Sequence, residues 1–271
     1  MTALVLAACG GGDGQTEGSA GEGGAAGSSA NGGTSANGGT SANGGTSANG
    51  GTSANGGTGA GGTSTLSGCA DGDHDGKVTY YDFADGSGAC SFDPTPNDLM
   101  VGAMNAPDYM GSAACGACAK IDANGKSIVV RIVDLCPECM SGHIDLSPMA
   151  FSMLGDLQLG VMPVTWRYVS CDYQGPIQYK FKEGSNQYWT AVQIRHHTNR
   201  IAKFEWEKDG SFIPVDRVDY NYFVESNGMG PGPYHFRVTD VFGQVVEDTG
   251  IGFVEGGVVD GKGQFPPCSE K

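Results

Sequence analysis

The sequence is short of positive charge and has no long hydrophobic run. Lysine and arginine number 15 against 30 aspartates and glutamates, a formal net charge of −15. Without a basic face the chain has no electrostatic footprint for nucleic acid, and neutral or cationic partners are expected instead. No stretch approaches the roughly 20 apolar residues of a membrane-spanning helix. The first 66 residues lack every aromatic and every Lys or Arg; they hold 22 glycines and three acids, Asp13, Glu17 and Glu22. Such a segment cannot bury enough apolar surface to offset its chain entropy. The remaining 205 residues carry all the aromatics and a net charge of −12. That is enough for one large or two small domains.

Leu4-Val5-Leu6-Ala7-Ala8-Cys9 is a short apolar run ending in a cysteine before Gly10. Leu6 to Cys9 resembles the lipobox of bacterial lipoproteins, although no basic residue precedes it and the apolar run is short for a signal. The expectation is a signal over residues 1–9, with Cys9 lipidated and a start that could lie upstream. From Ser29 to Thr58 the hexapeptide Ser-Ala-Asn-Gly-Gly-Thr repeats five times. A β-helix of that period would need an apolar residue to stack in each turn, and each repeat offers only alanine. Residues 10–67 are therefore expected to be a disordered tether rich in Gly, Ser, Thr and Asn.

Beyond Gly68 the signals are those of strands: short alternating runs punctuated by Gly, Asp and Pro. Ser127–Val133 and Val164–Tyr168 read as strands, and so, farther on, do Tyr179–Phe181, Thr190–Arg195, Ile201–Trp206 and Tyr234–Asp240. One helix is expected, capped by Ser147 with Pro148 in its first turn and ending at Gly155. Cys171 to Gly175 reads as a joint between a first globular domain over 68–170 and a β-sandwich over 171–271. Trp166 and Trp206 are assigned to the cores.

Eight cysteines lie in this part: Cys69, Cys90, Cys115, Cys118, Cys136, Cys139, Cys171 and Cys268. Cys115-x2-Cys118 followed by Cys136-x2-Cys139 has the spacing of a four-thiolate zinc site. An exported chain with an even cysteine count oxidises them, so disulfides are expected, with Cys171 paired to Cys268. Asp71, Asp73, Asp75 and Gly76, with Asp82 at the twelfth position, imitate a calcium loop. The flanks are not helical, and a solvated acidic turn is the simpler reading; calcium is the alternative.

Several motifs in order resemble the bacterial expansins. They are Gly76-x-x-Thr79-Tyr80-Tyr81, Asp134-Leu135-Cys136-Pro137-Glu138-Cys139, Gly142-His143-Ile144-Asp145-Leu146-Ser147-Pro148 and Trp166-Arg167-Tyr168-Val169. In the second half they are Phe181-Lys182-Glu183-Gly184-Ser185, Tyr188-Trp189-Thr190-Ala191 and Asp219-Tyr220-Asn221-Tyr222-Phe223. The resemblance implies a mainly β fold: a six-stranded double-psi β-barrel followed by an immunoglobulin-like sandwich, a family 63 carbohydrate-binding module. It implies a non-hydrolytic protein, without cofactor, that loosens contacts between cellulose and matrix glycans. Such a protein is expected to be a monomer, exported, and membrane-bound only through the lipid at Cys9, with peptidoglycan an alternative target.

Residue by residue, Asp145 matches the essential groove aspartate of that family, and Thr79 and Asp134 match the polar residues beside it. Cys136 stands where many relatives have a groove tyrosine, leaving Tyr80 and Tyr81 as candidate substitutes. Asp145 could instead serve only the cap of the following helix. His143 reads as a surface turn residue. Tyr188, Trp189 and Tyr220 match a three-aromatic platform, with Lys182 at its flank. Independently of the family, alternation along Tyr188–His196 buries Val192 and Ile194 and turns Trp189, Gln193 and Arg195 to solvent. An exposed flat aromatic there suits stacking on the apolar faces of sugar rings.

The rival reading is a glycoside hydrolase or lytic transglycosylase of the same barrel. Hydrolysis needs two carboxylates flanking the bond. Asp145 could be the acid, but Phe83 occupies the position of the family 45 endoglucanase base, Asp82 is one residue out of step, and Asp134 is expected to sit too close.

Overall fold

The computed structural model describes residues 72–82 and 84–268. Cys9, the hexapeptide repeat, Cys69, Asp71 and Phe83 lie outside the described residues. Strands β1 (His74–Tyr80) and β2 (Val101–Asn105) lead to the one-turn helix α1 (Ala106–Tyr109). Next come β3 (Cys118–Ala123), β4 (Lys126–Cys136), β5 (His143–Leu146), helix α2 (Pro148–Leu154) and β6 (Met162–Val169). The six strands close into a barrel in the order β1-β5-β2-β4-β3-β6. Two parallel pairs, β1–β5 and β2–β4, interlock with antiparallel ones in the double-psi arrangement. Val78, Met104, Ile121, Ile132, Ile144, Leu146, Phe151 and Trp166 fill it. Helix α2 begins as its sequence dictates: Ser147 Oγ accepts from Ala150 N at 3.0 Å, Pro148 follows, and Gly155 ends it.

The second part adds β7 (Gln178–Phe181), β8 (Thr190–Arg195), β9 (Ile201–Lys208), β10 (Ser211–Val215) and β11 (Arg217–Val218). It ends with β12 (Tyr222–Glu225), β13 (Tyr234–Asp240), β14 (Val245–Ile251) and β15 (Val258–Asp260). A four-stranded sheet, β10-β9-β13-β14, faces a five-stranded one, β11-β12-β8-β7-β15. Tyr179, Phe181, Val192 and Phe223 from one sheet pack on Phe204, Trp206, Phe236 and Val238 from the other. No helix among the described residues is long and apolar enough to cross a membrane.

The cysteines with zinc-like spacing are all oxidised: Cys90–Cys115, Cys118–Cys171 and Cys136–Cys139. Cys171 therefore pairs with Cys118 and not, as expected, with Cys268, which is disulfide-bonded elsewhere. The joint is thus stapled to the barrel strand β3 instead of to the end of the chain. The calcium pattern also fails as a loop. Asp75 lies inside β1, opposite Thr165, and Asp73 pairs with Arg167 at 3.4 Å, so extended backbone occupies the place where ligands would have to wrap.

Barrel and sandwich meet through buried polar contacts. Gln193 Nε2 donates to Cys90 O at 2.8 Å, Asn221 Nδ2 to the same oxygen at 3.3 Å, and Arg217 to Ser112 O at 3.0 Å. Alternation placed Gln193 in solvent; it is fully buried, because this face of the five-stranded sheet packs on the barrel's 88–92 loop. Arg195, its neighbour on that face, is pinned to Asp93 at 2.6 Å.

Candidate functional site

Two surfaces gather the residues singled out by the sequence. The first is built on barrel register. Thr79 on β1 pairs with Asp145 on β5, Asp145 with Ala103 on β2, and Ala103 with Asp134 on β4. One position along, Val78, Ile144 and Met104 form the matching apolar row in the core. Strand alternation turns the polar row the other way.

In that row the Thr79 hydroxyl donates to Asp145 Oδ1. Thr79 has one hydroxyl proton, so His143 Nε2, 2.8 Å away, must donate to its oxygen. Burial raises the Asp145 carboxyl above the ordinary aspartate range; the Thr79 bond and His143 oppose this, while Glu138 and Asp134 add to it. Burial also lowers the His143 pKa, helped by Lys77 and opposed by Asp145. His143 is buried on β5 and belongs to the site, not to a surface turn. A single-residue reading missed it because Gly142-His143 looks like turn chemistry, whereas the parallel β1–β5 pairing decides where the ring goes. The capping role weighed for Asp145 is filled by Ser147.

Asp134 is held by backbone: its Oδ1 accepts from Ala89 N at 2.6 Å and Leu135 N at 2.8 Å. Gly88, at φ +153°, lies so close that a Cβ there would collide with the carboxylate. Of the two candidate groove tyrosines, Tyr80 turns against Phe151 with ring centroids 5.0 Å apart. Tyr81 lies near Asp134, Asp145 and Asp85, whose charges join burial in raising its pKa and keeping it protonated. Its shielded hydroxyl has no hydrogen-bond partner among the described residues. Cys136, bonded to Cys139, closes this end of β4.

The second surface lies on the sandwich. Asn186 and Trp189 exchange backbone hydrogen bonds (2.7 and 3.3 Å), and Tyr188 N donates to Asn186 Oδ1 at 2.9 Å. This tight turn ahead of β8 breaks the alternation that would have buried Tyr188. Tyr188 is 74% exposed and Trp189 half-buried. Gly228, at φ +72°, lets the neighbouring loop lie directly on Gln187, where a Cβ would clash with backbone. Tyr220, 41% exposed, has its ring centroid 5.9 Å from that of Tyr222, over which Lys182 Nζ also sits at 5.9 Å. Glu225 on β12 is in register with Thr190, next to Trp189, while Tyr220 lies in the turn that enters β12 at its other end. The aromatics thus form an elongated row.

A family model described as lytic transglycolase matches residues 101–166, within the barrel. Expansin-YoaJ of Bacillus subtilis is 37% identical over 202 residues, spanning 71% of this chain and 87% of that protein. Expansin-like protein 5 of Dictyostelium discoideum is 30% identical over 201 residues, 69% of this chain and 83% of its own length. The crystal structure of apo Clavibacter michiganensis expansin superposes with a TM-score of 0.67 at 31% identity, covering 71% of this chain and 97% of that one. A mutant of that expansin in complex with cellohexaose matches equally, with a TM-score of 0.67 at 30% identity, 71% and 97% coverage. With this identity over most of a relative's length, and the same barrel and sandwich, the chain belongs to the expansin family.

Proposed function

We propose that the chain is an exported, non-hydrolytic protein that binds cellulose through Tyr188, Trp189, Tyr220 and Lys182 on the sandwich. It loosens non-covalent polysaccharide contacts through Thr79, Asp134, Asp145 and Tyr81 on the barrel. The observation that carries this reading is the pair of surfaces itself: a solvent-facing aromatic row and a polar barrel row in which Thr79 bonds both Asp145 and His143. Export fits the disulfides, which persist in oxidising compartments. The boundaries 68–170 and 171–271 would separate the two activities.

Hydrolysis is disfavoured on a further ground beside those the sequence offered. Asp134 and Asp145 are separated by one intervening strand, about 9–10 Å along the sheet. What argues against Asp134 as a base is that one of its oxygens already accepts two backbone N–H bonds. Asp145→Asn should abolish wall creep and leave cellulose pull-down intact, and the unaltered protein should release no reducing ends from cellulose, xylan or peptidoglycan. Sugar release that disappears in Asp145→Asn would establish the hydrolase instead.

A further inference from the structure

A cleft of about 250 Å³ opens where the barrel's 92–98 loop meets the joint and the first strands of the sandwich. None of the residues lining it belongs to the polar barrel row or to the aromatic row. Its walls follow from long-range pairings. Arg131 on β4 is in register with Cys118 on β3, and the Cys118–Cys171 bond brings the joint to that strand. Tyr173, two residues on, therefore shares the cleft with Arg131. His196, following β8, stacks on the Tyr173 ring, with centroids 4.9 Å apart and planes 18° from parallel.

Two guanidiniums flank Phe92 here, Arg131 at 5.5 Å and Arg195 at 5.7 Å from the ring centroid. Arg195 is committed: Nε donates to Gln193, Nη1 to Asp93 at 2.6 Å and Nη2 to Ser91 O at 3.4 Å. Arg131 is not. Its Nη2 donates to Thr95 Oγ1 at 3.1 Å and lies 3.6 Å from Asp98, while Nε and Nη1 have no hydrogen-bond partner among the described residues. The Tyr173 hydroxyl, near Arg131 and Asp98, has none either. None of these atoms is sealed from solvent.

The two acids of the cleft sit at its mouth. Asp93 and Asp98 are 66% and 59% exposed, against 12% and 13% for Arg195 and Arg131, so water screens the carboxylates more. His196 reports the resulting field: burial lowers its pKa, Arg131 and Arg195 lower it further, and Asp260 opposes them. Positive potential prevails locally in a chain that is acidic as a whole.

We propose that this cleft binds one uronic-acid unit of an acidic glycan. The remaining N–H groups of Arg131 take the carboxylate, the acceptor a guanidinium suits best, and the Tyr173 hydroxyl donates a further bond. Phe92 and the Tyr173–His196 pair supply the apolar wall that a sugar ring uses and a bare inorganic anion does not. The volume lies below the roughly 300–1,000 Å³ of sites for larger ligands, which fits a single ring. The inference does not depend on the reading of the other two surfaces.

The test titrates the full chain with methyl glucuronide, with methyl glucoside, which shares the ring and lacks the carboxylate, and with acetate. NMR of the Tyr173 and His196 rings follows binding. Methyl glucuronide should give saturable shifts, and the other two should bind roughly tenfold more weakly. Arg131→Lys keeps the charge and loses the planar donor array; it should lower glucuronide affinity roughly tenfold. Tyr173→Phe keeps the ring stack and should lower it roughly threefold. Melting temperature and cellulose pull-down should be unchanged in Tyr173→Phe, which decides the matter if Arg131→Lys folds poorly. Equal affinity for glucuronide and glucoside would overturn the site, as would acetate binding as tightly as glucuronide. So would undiminished glucuronide binding in Tyr173→Phe, or no saturable shift with any probe.

Discussion

Asp134 and Asp145 share one cross-strand partner, Ala103, which lies between them on β2. The two carboxylates therefore have different lives within one row. Asp134 is fixed by main-chain donors, while Asp145 depends on a single threonine hydroxyl that His143 also bonds.

Thr79→Val should push the Asp145 carboxyl farther above its ordinary range, because the bond to Thr79 favours the ionised form and burial opposes it. The folded protein holds its proton to higher pH than the unfolded chain does. Stability from this group is thus present at low pH and lost as pH rises through the folded pKa. Following the Asp145 carboxyl by NMR should show an upward-shifted midpoint that rises again in Thr79→Val. A midpoint at the ordinary aspartate value in both proteins would contradict this account.

On the sandwich, Tyr188→Ala should weaken binding to crystalline cellulose while the melting curve stays within about 0.5 kcal/mol of the parent, since the ring is mostly in solvent. Trp189→Ala should cost more binding, on the order of 2 kcal/mol for about 100 Å² of lost stacking. It should also lower the melt, because Trp189 is half-buried. Tyr220→Ala should resemble Tyr188→Ala. Full binding in all three variants would rule out the aromatic row.

His197 supplies a pH limit for the whole assembly. It is buried where the barrel's Cys115–Gly116 turn meets the sandwich, its Nδ1 lies 2.9 Å from Asn199 O, and burial with nearby Arg217 lowers its pKa from 6.5 to about 4. The unfolded chain takes up a proton near pH 6.5 and the folded one does not, so stability falls as pH drops from there towards 4. The loss should be on the order of 3 kcal/mol, and His197→Gln should flatten that part of a denaturation-versus-pH series. An unchanged slope would assign the acid sensitivity elsewhere.

The sequence carried the strands, the helix cap at Ser147 and the two cores, because these depend on local periodicity and cap chemistry. Its errors fall at long-range pairings. Gln193 reads as a solvent residue until a barrel loop is laid over its face. His143 reads as a turn until β5 aligns with β1. Cys171 could have met any of several cysteines, and only the closed barrel brings Cys118 to it. Between Tyr80 and Tyr81 the strand pattern offers no choice; Phe151 makes it.

The Cys118–Cys171 bond, with the buried contacts around Gln193 and Arg217, leaves the joint between barrel and sandwich little freedom to flex. A slack joint would let each half follow a different glucan and would dissipate any tension between them. A stapled one keeps the two surfaces at a set angle, like the jaws of a fixed wrench. A glucan lying on both would then meet two surfaces whose relative placement stays fixed.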